Sequence, residues 1–136
     1  MTNPMLRRYQ TTRLLDHNIP QMLSMMFYAL SRHMGMLASS ISTNNYYERH
    51  QKSEKIIASV SHLMMILKNN EEDEESIYIH DTIMEFCHYI LRKMNCITRD
   101  NDAKLCYDMV IILEKMGGFF EQSTASDFST IPQNRA

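Results

Sequence analysis

His80, Met84, Cys87 and His88 fall within two helical turns, so on a helix they could gather around one soft metal ion. Metal sites in helical bundles, however, draw carboxylates and histidines from several helices, typically as paired Glu-x-x-His patterns, and this cluster lies on one helix. Three scattered glycines cannot build a phosphate-cradling loop, and neither G-x-S-x-G nor H-E-x-x-H is present. The sequence therefore predicts no catalytic residue, no metal and no cofactor, and a protein that holds another protein instead of acting as an enzyme.

His33 is the other chemical candidate, in Ser31-Arg32-His33-Met34-Gly35. A histidine phosphotransfer bundle would follow its phosphorylatable histidine with a Leu-Lys-Gly segment. Here Met34-Gly35-Met36-Leu37 lacks the lysine that helps hold phosphate. An ordinary helix-face histidine is the expectation, with a phosphotransfer-type signalling bundle or a plain dimeric bundle as alternatives.

The elements that position these residues are helical by composition. The chain has 136 residues, enough for one domain, and its three glycines and three prolines leave little punctuation for an all-β design. With 14 basic and 16 acidic residues the net charge is −2, which gives no footprint for nucleic acid. Three cysteines, Cys87, Cys96 and Cys106, are an odd set without short paired spacing, which predicts free thiols in a reducing cytoplasm. No apolar run approaches the ~20 residues of a membrane span, so no membrane insertion is expected. Thirteen methionines reflect either genome composition or an adaptable binding surface.

Four apolar seams set out an all-α, antiparallel up-down four-helix bundle. Leu23, Phe27, Leu30, Met34, Leu37 and Ile41 alternate spacings of four and three, the mark of one buried helix face. Pro20 suits the first turn of that helix, with Asn18 as a cap. A polar break follows at Ser42–Asn45, where Asn45 and Glu48 form a capping-box pattern. The second seam is Ile56, Val60, Leu63 and Leu67; the third is Ile79, Ile83, Phe86, Ile90 and Met94. Before the third, the acidic run 71–75 favours the positive end of the helix dipole, though contact with a partner stays open. The polar turn Asn95–Asp102, capped by Asp100 or Asn101, leads to the fourth helix.

The expected spans are 20–43, 46–69, 73–96 and 100–121, with Leu23, Phe27, Leu30, Leu37, Val60, Leu63, Ile83, Phe86, Ile90 and Val110 in the core. By domain, 1–19 is an N-terminal arm, 20–122 the bundle and 123–136 a flexible, disordered tail rich in Ser, Thr, Asn and Gln. The fourth helix carries two apolar stripes: Ala103, Cys106, Val110 and Leu113, and, rotated by about 110°, Leu105, Met109, Ile112 and Met116. The second stripe either widens the core or forms an exposed client-binding groove, bordered by Ile57 and Met64 of the second helix.

Pro20-Gln21-Met22-Leu23-Ser24-Met25-Met26-Phe27-Tyr28, with Ala38 ten residues on, resembles the first helix of the flagellin-specific export chaperone (FliS) family. Its members open this helix with Pro-x-x-Leu-x-x-Met-Leu-Tyr. The likeness continues through Lys55-Ile56-Ile57, Leu63 to Leu67, Tyr89-Ile90 to Asn95 and the turn at Asp100, covering about 100 residues from Pro20 to Gln122. It departs at Ile19, where the family has Ser, and at Phe119 and Phe120, the nearest substitutes for a late tryptophan.

The resemblance implies a cytoplasmic chaperone that wraps the disordered C-terminal segment of flagellin, prevents its premature polymerisation and presents it to the flagellar export gate. It also implies an arm tyrosine that rests in the client groove. Tyr9 is the residue here, offset by one from the family spacing. A monomer or a homodimer is compatible with that role.

Overall fold

A computed structural model describes the backbone of residues 19–68 and 74–133 and the side chains of 20–68 and 80–122. Four helices follow one another: α1, Ile19–Ser42; α2, Tyr46–Lys68; α3, Glu74–Asp100; and α4, Ala103–Gln133. No strand occurs among the described residues. They pack in chain order around a square, α1 on α2, α2 on α3, α3 on α4 and α4 back on α1, which is the up-down four-helix bundle. Pro20 sits in the first turn as expected, while the Asn18 cap, Glu71–Asp73 of the acidic run and the arm lie outside the described residues.

Both described turns are built by an asparagine in the left-handed region, followed by a residue that closes one helix and opens the next. Asn44 (φ 56°) and Asn101 (φ 52°) are the only positive-φ residues described. After α1, the Asn44 N–H donates to the Ile41 carbonyl at 3.1 Å and the Asn45 N–H to the Ser40 carbonyl at 2.9 Å, a complete Schellman closure. Asn45 then caps α2: its Oδ1 accepts from the Glu48 N–H at 3.1 Å. Because the Asn45 N–H is already engaged, the Glu48 carboxylate accepts from the Asn45 side-chain amide instead, at 3.4 Å. The capping box is therefore present in a modified form.

The second turn corrects the sequence reading twice. α3 runs to Asp100 instead of ending near 96, because Ile97 is fully buried and holds the last turn against the core. The cap of α4 is Asp102, not Asp100 or Asn101: its Oδ1 accepts from the Leu105 N–H at 3.0 Å, while its own N–H donates back to the Ile97 carbonyl at 3.3 Å. α4 also overshoots its expected end at Gln122. Its backbone is helical to Gln133, a stretch with no helix breaker before Pro132. Residues 134–136 lie outside the described residues.

Every described seam residue is buried or packed on the core. Leu23, Phe27, Leu30, Met34, Leu37, Ile56, Val60, Leu63, Leu67, Ile83, Ile90 and Met94 have almost no exposure. Phe86 and Val110, expected inside, are half-buried at its edge. Phe86 meets Phe27 edge-on at 5.6 Å between ring centroids, and Phe120 stacks on the same ring at 5.8 Å.

The helices are not equally spaced. α1 and α4 run backbone-close along their length, whereas α3 and α4 approach at only a few points. Small residues explain the close pair. The Ser24 hydroxyl donates to the Gly117 carbonyl at 2.9 Å, Ser31 makes a longer bond of 3.4 Å to the Val110 carbonyl, and Gly35 sits opposite the Val110 side chain. The Tyr28 ring lies against Gly117, where a Cβ would come within 3.0 Å of its edge and 3.1 Å of its Cγ. Its hydroxyl donates to Glu121 at 3.1 Å, so the ring is held at both ends.

Two stability measurements follow from this packing. In urea unfolding, Phe27→Ala should cost ~3–5 kcal/mol and the half-buried Phe86→Ala clearly less; a Phe27→Ala loss below ~1 kcal/mol would place that ring outside the core. Gly117→Ala should destabilise the parent, yet stabilise a Tyr28→Ala background by about 0.5–1 kcal/mol, since only the ring opposes the better helix former. A stabilising Gly117→Ala in the parent would show that Tyr28 moves aside freely.

Candidate functional site

The two stripes of α4 acquire separate roles once its neighbours are known. Val110 and Gly117 meet α1, and at 100° per residue Ala103 lies on the same flank. Leu105, Ile112 and Met116 lie on the opposite flank of the buried line Cys106, Met109, Leu113 and Gly117, toward α3. Because α3 stands off, this flank needs long side chains to close the gap. Leu105, Ile112 and Met116 all pack on the core while staying partly open to water.

The matching flank of α3 is aromatic. Phe86, Tyr89, Lys93 and Cys96, spaced three, four and three, are half-buried on one side of the buried line Ile83, Ile90 and Ile97. Phe86 and Tyr89 stack at 5.8 Å, and Lys93 reaches over the Tyr89 ring at 5.4 Å. Phe119, which meets Phe120 edge-on at 5.1 Å, is 60% exposed at the same end of the bundle. The α3–α4 seam is thus a wide apolar trough, with an aromatic cluster toward the α3 N-terminus.

This geometry corrects the expected groove in two ways. Met109 is fully buried and presents nothing to a client, because it lies between the two stripes and points at the bundle axis. Ile57 and Met64 cannot border the α4 stripe, since α2 is diagonally across the bundle; their register places them on the α3 side of α2. Ile57 is 40% exposed and Met64 half-buried there. Leu105, Ile112 and Met116 remain together in the trough. Phe86 and Tyr89 line this seam as well; their spacing is visible in the sequence, but the width of the seam is not. Tyr9 lies outside the described residues.

The other chemical candidates are separated or enclosed. His80 and Cys87 are buried, His88 is exposed, and no group of three potential metal ligands occurs among the described residues. Burial pushes the Cys87 thiol up to about 12, and burial reinforced by Asp102 does the same for Cys106. No disulfide forms among these cysteines. No described helix is long and apolar enough to cross a membrane.

His33 is half-buried, and its Nδ1 is enclosed without a hydrogen-bond partner. Burial first, then Lys55, Lys52 and Arg32, hold its imidazole below the usual histidine range.

No family model, no curated protein and no solved structure matches this chain.

The His33 environment has a pH consequence. The folded state holds this imidazole neutral where the unfolded chain, titrating near ~6.5, already binds a proton, so stability must fall as pH drops below that value. Replacing His33 by Gln should flatten the fall in melting temperature between pH ~7 and about 5. An unchanged slope would assign the acid sensitivity to other groups.

Proposed function

We propose that this chain is a cytoplasmic export chaperone whose client is the disordered C-terminal segment of flagellin, shielded against premature polymerisation and handed to the flagellar export gate. It acts by binding and carries out no reaction. The observation that supports this reading is the wide α3–α4 trough, where Leu105, Ile112 and Met116 of α4 and Phe86 and Tyr89 of α3 pack on the core without being fully covered.

Such a surface suits an amphipathic segment that folds as it binds, because apolar residues at helical spacing can be laid along it. Burying the remaining exposed area gains roughly 25 cal/mol per Å², and part of that offsets the ordering of the client. Aromatic rings give large contact area at low entropy cost, and Met116 adapts its shape to the client. The resemblance of the first helix to the chaperone family names flagellin among the many proteins with such segments.

The test uses a flagellin C-terminal peptide and calorimetry on the full chain. Ile112→Ser with Met116→Ser should leave the fold intact by circular dichroism and weaken the peptide by tenfold or more, about 1.4 kcal/mol. Ile57→Ser, across the bundle, should leave the affinity unchanged. Equal loss from Ile57→Ser would move the client to the α2 side, and a parent chain that ignores the peptide would refute flagellin as the client.

A further inference from the structure

The α3–α4 trough is apolar along most of its length, but one cation stands inside it. Lys93 is on the same half-buried flank of α3 as Phe86 and Tyr89, and its ammonium lies 5.4 Å from the centroid of the Tyr89 ring. Counting equal rises away from the Asn101–Asp102 turn sets Lys93 level with the stretch of α4 between Leu105 and Ile112. The trough therefore has hydrocarbon partly open to water on either side of the charge. No carboxylate pairs with Lys93 among the described residues.

The shoulders of the trough have the same sign. At 100° per residue, Arg92 stands on the outer edge of α3 beside the trough and Lys115 on the outer edge of α4. Both are exposed, and neither makes an ion pair among the described residues. The acids closest to this stretch are already engaged: Asp108 with Lys104 at 3.9 Å, and Asp100 with Arg99 through two bonds of 3.0 and 3.1 Å. Glu85 and Asp81 stand more than two turns back along α3, at least about 12 Å from Lys93. The whole chain has a net charge of −2, yet this stretch of apolar surface is bordered by three cations that its own acids leave unmatched.

We infer that the segment received by this trough is an acidic amphipathic helix, with one carboxylate at the edge of its apolar face set against Lys93 and further acids toward Arg92 and Lys115. A helix laid along Leu105, Ile112 and Met116 covers the Lys93 ammonium as well. An apolar or basic segment would strip that ammonium of water and offer nothing in return, and a covered, unpaired charge is costly. A carboxylate restores the lost interaction as a charge-assisted hydrogen bond. The apolar lining thus supplies attraction without selectivity, and Lys93 selects by penalising the wrong partner. The inference rests on the trough being the client-binding surface, though not on flagellin being the client.

The probe is a displayed library of amphipathic helical peptides of about 20 residues, with leucines fixed on one face and the other positions randomised. It is selected on the full-length chain and counter-selected on the folded Ile112→Ser, Met116→Ser double variant. The peptides retained should be enriched in Asp or Glu at the edge of the leucine face. In calorimetry on the parent, exchanging that acid for its amide should weaken a selected peptide about tenfold or more, and about 0.5 M salt should narrow the difference. Lys93→Gln should bind the acid and amide peptides equally, and selection on Lys93→Glu should enrich Lys or Arg at the same position. Circular dichroism checks both variants, and the acid-to-amide comparison reads the charge requirement on the parent in any case. Trough-dependent peptides without an acid preference, or a folded Lys93→Gln that still prefers the acid, would overturn this inference and leave the trough as the binding surface. A library that yields no peptide sensitive to Ile112 and Met116 would overturn both.

Discussion

The close approach of α1 and α4 governs the rest of this bundle. Ser24, Ser31 and Gly35 on one helix face Val110 and Gly117 on the other, and two serine hydroxyls bond directly to carbonyls of the partner helix. Small side chains let backbones come near, and a hydroxyl that donates across the interface is satisfied where water is excluded. Four helices around one core cannot all be equally tight when one pair is drawn together. The slack appears on the far side of α4, against α3, and there the protein uses Phe86, Tyr89, Ile112, Met116 and Phe120 as long fillers. The trough is a consequence of the tight pair, and so is the partial exposure of its lining.

The turns show the same economy of parts. Asn44 and Asn101 enter the left-handed region at the end of α1 and α3, where the short polar side chain tolerates a conformation other residues avoid. The residue after each then serves two helices: Asn45 and Asp102 donate their N–H groups backwards to close one helix and offer side-chain oxygens forwards to open the next. Two-way use of one residue makes connections this short workable. The first turn holds α1 against α2 and the second holds α3 against α4, both at the same end of the bundle.

Polar groups inside the bundle have been rendered quiet in different ways. Cys87 and Cys106 are enclosed until their thiols no longer ionise near neutral pH. His33 is kept neutral by burial and by the lysines of α2. At the surface, the Tyr28 hydroxyl is engaged by Glu121, and desolvation together with that bond raises it above the usual tyrosine value. What remains partly open to water is the apolar trough between α3 and α4.

Helix number, order and inward faces were legible in the chain alone, because a 3.6-residue period needs only local information. Leu23 through Ile41 and Ile56 through Leu67 show it without reference to anything distant. Asn45 with Glu48 was legible for the same reason. The end of α3 was not, since Ile97 holds that turn through burial against other helices, and the end of α4 was not, since no breaker precedes Pro132. The two stripes of α4 were visible as a pattern, but their meaning depended on the distances from α4 to α1 and to α3. Period tells which residues share a face; only the packing of the four helices decides which face is pressed shut and which is left partly open to water, and for that reason Met109 is core while Ile112 and Met116 keep part of their surface exposed.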